Sequence, residues 1–174
     1  TNIWVFLNNN KIRDFSNLTD AEITQLVASA LDAIAAEIEP YGCNVAMYNH
    51  DQWFGNIENQ VAVMKAMKQK NVGIALNMHH DGGPDPKRIE KALKLAKNKI
   101  LAIVLNGHNE KGLPRGNAPF GTNDKDLETL RAIIDSGYTG EIQIMHHHFR
   151  DLPEVRLQQN LDGIKRLKKL LINN

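Results

Sequence analysis

The 174-residue sequence predicts an α/β protein in which parallel strands alternate with crossover helices. Three observations carry that expectation. Five short apolar runs have strand length, amphipathic helical stripes separate them, and the runs are almost continuously apolar. Continuous apolar character suits parallel strands covered by helices better than a half-exposed antiparallel sheet.

The first run is Ile3 to Leu7. A helix follows, with Thr19 and Glu22 as a capping box and Ile23, Leu26, Val27, Leu31, Ile34 and Ile38 on one stripe. The second run, Asn44 to Tyr48, leads to a helix capped by Asn56 and carrying Ile57, Val61, Met64 and Met67. After the third run, Val72 to Leu76, Asp85 and Pro86 open a helix with Ile89, Ala92, Leu93 and Ala96. The fourth run, Ile100 to Leu105, precedes a helix with Leu127, Leu130, Ile133 and Ile134, stopped near Gly137. The fifth, Ile142 to Met145, precedes a final helix with Leu157, Leu161, Ile164, Leu167 and Leu171. All these stripes are expected to face the core.

Five β-α units joined by right-handed crossovers fit two architectures. One is an open, doubly wound five-stranded sheet. The other is part of an eight-stranded barrel, which normally needs about 250 residues. Periodicity does not separate them. No Gly-rich phosphate loop follows the first run, so nucleotide binding gains no support.

Composition narrows the function classes. The hydrophobic fraction is 42% and the charged fraction 24%, as in an ordinary single globular domain spanning 1–174. Lys plus Arg number 21 against 20 Asp plus Glu, so no charge excess favours nucleic acid or an acidic membrane face. No apolar run approaches the roughly 20 residues of a membrane span. Cys43 is the single cysteine, which excludes an internal disulfide and a thiolate metal cluster.

Polar residues gather where the later runs end: Tyr48-Asn49-His50, Asn77-Met78-His79-His80, Asn106-Gly107-His108-Asn109 and His146-His147-His148. All seven histidines fall in these four segments. A single histidine at a strand end is more often structural, but seven gathered at the ligand-binding edge of a parallel fold point to a site. Alternation lets one or two of His146 to His148 face the same side.

The segments VAMYNHDQWFGNIENQ, NVGIALNMHH, VLNG, PFGTNDKDLETLR and SGYTGEIQIMHHH, followed by NLDGIKRL, resemble a bacterial branch of the xylose isomerase-like TIM-barrel superfamily, described as sugar phosphate isomerases/epimerases. The likeness runs from about Asn44 to Leu167, with Ile3 to Leu7 similar to the preceding strand. It implies that this chain is the C-terminal portion of a (β/α)8 barrel, with its five runs as strands four to eight. The remaining strands are then expected from another chain, a cleaved N-terminal portion, or residues outside this sequence.

The resemblance also implies a ligand set. Catalytic members hold a divalent metal with Glu, Asp, His and Glu from strands five to eight. Those positions fall on Tyr48, Asn77, Val104 and Met145, none of which keeps the family residue. No cofactor is therefore expected, and no metal ligand is assigned. The alternative is a zinc-like ion on a rearranged set of His50, His79, His80 and His147.

The resulting expectation is an enzyme acting on a sugar or keto-sugar by proton transfer beside a carbonyl. His50, His79 and His147 are the acid/base candidates. Tyr48, Asn49, Asn77, His80 and Asn106 are expected to bind the substrate, because amides and imidazoles suit a polyhydroxylated ligand. Trp53 and Phe54 either stack on a sugar ring or plug the barrel mouth. Gly121 and Asp126 are expected to be structural. Lys111 and Arg115 are the nearest loop cations for a phosphate. A barrel that only binds carbohydrate is the alternative from a different class.

Overall fold

Strand order decides between the two architectures. The computed structural model describes residues 1–7, 15–50, 52–80, 85–107, 118–145 and 152–172. In it β1 (Asn2–Val5), β2 (Asn44–Tyr48), β3 (Val72–Asn77), β4 (Ile100–Leu105) and β5 (Glu141–Ile144) lie in chain order, each parallel to the next. A doubly wound sheet reverses its order at a switch point. This sheet has no reversal, so the open-sheet alternative is set aside. Its helices form one layer: α1 (Asp20–Ile38) touches α3 (Ile57–Ala66), which touches α4 (Pro86–Ala96), then α5 (Asp124–Asp135) and α6 (Pro153–Ile172) in turn. Repeated crossovers of one hand place every helix outside and curl the sheet into part of a barrel.

Local chemistry sets the element boundaries. At α1 the Thr19 side chain accepts from the Glu22 backbone, while Glu22 accepts from the Thr19 backbone at 2.8 Å. Asn56 caps α3 by accepting from Glu58 and Asn59. Pro86 opens α4 and the Asp85 carboxylate accepts from the Lys87 backbone at 3.0 Å. Gly137, at φ 74°, follows the end of α5.

Alternation divides the sheet. Val45, Met47, Ile74, Leu76, Ile103 and Leu105 pack beneath the helices. The opposite parity brings Trp4 beside Ala46, Tyr48 beside Ala75, and Asn77 beside Val104. Small residues thus occupy much of the concave face, and polar ones stand at its C-terminal rim.

Three helical stripes depart from expectation. Ile34 and Ile134 are exposed rather than core-facing, as are Leu157 and Leu161 at 52% and 41%. In α6 the buried line is instead Arg156, Asn160, Gly163 and Leu167. The cause is the segment before α5. The Phe120 N–H donates to Asn160 Oδ1 at 2.7 Å, the Arg166 guanidinium donates to the Gly121 carbonyl, and a Cβ on Gly163 would collide with the Phe120 carbonyl. Polar bonds and a close backbone approach, rather than the leucine stripe, set the rotation of α6. Gly121 and Asp126 take the structural part expected of them: buried Asp126 accepts from the Gly121 N–H at 2.8 Å.

The sheet continues past β2 through a side chain. Asn49 donates from Nδ2 to the Asn77 carbonyl at 3.0 Å and accepts the Asn77 N–H on Oδ1 at 2.6 Å. Replacing Asn49 with Ala leaves two buried backbone groups of β3 without partners. The expected loss is about 2 to 4 kcal/mol, measured by urea unfolding.

Asp32 on α1 makes a second long-range tie, accepting from the Lys68 and Gln69 backbones at 3.0 and 2.9 Å. Desolvation opposes its ionisation, but these bonds and the charges of Lys68 and Lys70 hold its carboxyl below the usual aspartate range. A depressed carboxylate stabilises the fold above its unfolded pKa and loses that contribution as pH falls through the folded value. The stability advantage over Asp32→Asn is therefore expected in full at neutral pH and to be lost progressively as pH falls from about 3.8 through the lower folded value, as urea midpoints across pH would read.

Candidate functional site

The rim of the concave face holds a connected set of side chains from neighbouring strands. Asn77, at the end of β3, is its hub. Its Oδ1 accepts the His79 N–H at 2.9 Å and Asn106 Nδ2 at 2.7 Å. A backbone N–H can only donate, so the amide has one orientation, with Nδ2 on the other side. From there Nδ2 donates to the Tyr48 hydroxyl of β2 and faces Met145 Sδ at 3.5 Å. The Tyr48 hydroxyl also lies 3.2 Å from His80 Nε2 and 3.8 Å from Met145 Sδ.

Rings surround this network. Trp4 stacks on Tyr48 at 5.4 Å and 24°. His80 meets Tyr48 edge-on at 5.4 Å, lies 4.4 Å from His50 and 5.2 Å from His79. His50 in turn touches Phe6 at 5.4 Å. Trp4 and Phe6 were not singled out from the sequence. Their signal was alternation in the first run, which sets Trp4 and Phe6 on one face and Ile3 and Val5 on the other.

The structure brings Tyr48, His50, Asn77, His79, His80 and Asn106 together. It assigns other places to Asn49 and Trp53, expected to meet substrate, and to Phe54, for which stacking on a sugar was one of two readings. Asn49 is 1% exposed and both ends of its amide serve the β3 backbone, so it supports Asn77 from behind. Trp53 and Phe54 lie in a short helix, α2 (Gln52–Gly55), rather than a loop. Phe54 is buried in the helix-facing core, and the Trp53 indole donates to Asp20 at 2.9 Å, pinning α2 to the start of α1. His147, with Lys111 and Arg115, lies outside the described residues.

Three of the four positions matched to the family's metal ligands, Tyr48, Asn77 and Met145, are mutual neighbours. The fourth, Val104, is fully buried beside Asn77. A hard divalent cation wants anionic or carbonyl oxygens. Here the phenol and thioether are neutral, Val104 offers no donor, and Asn77 presents its N–H while Oδ1 holds two donors. These residues do not fit that ion. Among the described residues no group of three or more His, Cys, Asp or Glu is placed to hold a metal. Clefts of about 570 and 610 Å³ open between α4 and α5, lined by residues such as Lys94 and Ser136, away from this network.

No family model and no curated protein matches the chain. Solved structures do. A D-tagatose 3-epimerase-like protein superposes with a TM-score of 0.69 at 19% identity, over 98% of this chain and 64% of its own. A 3-keto-D-glucoside 4-epimerase from E. coli gives 0.64 at 12%, over 95% and 63%. A xylose isomerase domain protein from Planctomyces limnophilus gives 0.61 at 16%, over 98% and 60%. The chain spans less than two thirds of the length of these structures, and at such identities the likeness is one of fold. Its five consecutive βα units share the fold of these TIM barrels, of which they supply part.

Proposed function

We propose that this chain forms the larger part of a sugar isomerase/epimerase-like enzyme that moves a proton on a carbon next to a carbonyl, with the family's metal ligands replaced by a neutral network. The carrying observation is the convergence of Tyr48, Asn77, Asn106 and His80 at the C-terminal rim, where parallel barrels bind ligands. Fold neighbours whose names state sugar epimerisation support the substrate class.

The arrangement suits a polyhydroxylated ligand. Asn106 Oδ1 is buried and accepts no hydrogen bond in the structure. An unmet buried acceptor costs about 1 to 3 kcal/mol, and a sugar hydroxyl would satisfy it. Trp4 and Phe6 supply apolar ring surface beside polar edges, as the faces of a sugar require. Imidazoles exchange protons near neutral pH, so His50, His79, His80 and His147 are the supply of acid/base groups. A carbonyl oxygen gaining charge would be met by the Tyr48 hydroxyl rather than by a cation.

The test is solvent exchange. Incubated in D2O with aldoses and keto-sugars, the chain should incorporate deuterium beside the carbonyl of its substrate and interconvert isomers, with the rate unchanged by a chelator. Binding by calorimetry with no exchange for any sugar would replace the enzyme by a carbohydrate-binding barrel. Loss of exchange on chelation would return a metal to the site.

Single His→Gln replacements at His50, His79, His80 and His147 should identify the proton carrier by a fall in turnover of at least ~100-fold in one or more variants. Turnover near that of the unchanged chain in all four would remove imidazole from the chemistry.

A further inference from the structure

We propose that Tyr48 and His80 are the proton-transfer pair of this site, and that Asn77 is the positioning residue that aims the phenolic proton at the imidazole. The proposal rests on the sugar-isomerase reading and goes beyond it by naming the pair, its direction and the substrate class.

The direction follows from donors and acceptors. The His79 N–H fixes Asn77 Oδ1, which forces Asn77 Nδ2 onto the Tyr48 oxygen. With that lone pair occupied, two acceptors among the described residues lie within reach of the phenolic hydrogen, His80 Nε2 at 3.2 Å and Met145 Sδ at 3.8 Å. Imidazole nitrogen is much the stronger acceptor and the nearer one, while a thioether accepts weakly. The phenol therefore donates to Nε2, and neutral His80 carries its proton on Nδ1.

This pair can perform both halves of an aldose–ketose isomerisation on an open-chain 2-hydroxy aldehyde. In the first half, the phenolic hydrogen turns to the carbonyl oxygen and frees Nε2. His80 takes the hydrogen from the adjacent C–OH carbon, the C–H electron pair forms the C=C bond, and the carbonyl π pair takes the Tyr48 proton. An enediol, an imidazolium and a phenolate result. In the second half the imidazolium protonates the former carbonyl carbon, and the phenolate takes the proton from the other enediol oxygen. The ketose is released with Tyr48 and His80 in their starting states, and no oxidant, reductant or further proton is needed. Imidazolium and phenolate, adjacent and of opposite charge, stabilise each other while the enediol exists.

Two measurements test this. Long-range nitrogen–proton NMR of histidines in the unmodified chain at neutral pH should show His80 protonated on Nδ1 and bare on Nε2, with that preference lost in Tyr48→Phe. A His80 protonated on Nε2 in the unmodified chain would overturn the assignment without reference to any substrate or variant. In D2O with aldose–ketose pairs, Tyr48→Phe and His80→Gln should each slow exchange at least ~100-fold, circular dichroism showing retained fold. Exchange in the unmodified chain that survives within about threefold in either folded variant overturns the pair and leaves the sugar-isomerase reading standing. No exchange with any sugar in the unmodified chain overturns that reading, and the pair's catalytic role with it.

Discussion

The side-chain amide of Asn77 is the constraint on which the site depends. A primary amide has an accepting end and a donating end held in one plane, so a partner at one end dictates the other. The backbone of His79 settles the accepting end, and Asn106 joins it from the next strand. The donating end then faces Tyr48 on the preceding strand and Met145 beyond β5. Asn49 holds the Asn77 backbone in a two-bond clamp, so the hub is fixed in both its main chain and its side chain. One residue type at one strand end thereby links four strands.

The sheet makes that linkage possible. Chain-order parallel pairing puts every helix outside, which leaves the inner face to side chains of one parity. Ala46, Ala75 and Ala102 are fully buried, and their small size lets longer groups at the rim lean toward one another. Open edges have a physical consequence as well. Ile3 on β1 and Ile142 on β5 are exposed at 39% and 45%, because each edge strand has a neighbour on one side among the described residues.

Neutrality distinguishes this rim from a metal site built in the same place. Carboxylates facing one another repel unless a cation lies between them. Tyr48, Asn77 and Asn106 instead hold one another directly, with one donor and one acceptor at each polar contact. Such a network is preorganised by hydrogen bonds alone and keeps its shape without an ion.

The sequence by itself determined the elements and much of the rim. Apolar runs located all five strands, and the Thr19–Glu22 box, Asn56 and Pro86 located helix starts, because periodicity and capping are local physics. Strand-end polarity found Tyr48, Asn77, His80 and Asn106. Only tertiary structure decided the rest. Chain-order pairing, which periodicity does not encode, separated a barrel portion from a doubly wound sheet. The polarity of Asn49 read as a ligand group, yet its hydrogen bonds are spent on a backbone distant in sequence. For Trp53 and Phe54 the sequence left stacking on a sugar and plugging the barrel mouth both open, and a short helix turns them toward α1 and the core. The leucines of the last helix marked a stripe, but Gly163 and Asn160 set which side docks. In each case the deciding partner lies more than 25 residues away, where no local pattern reaches.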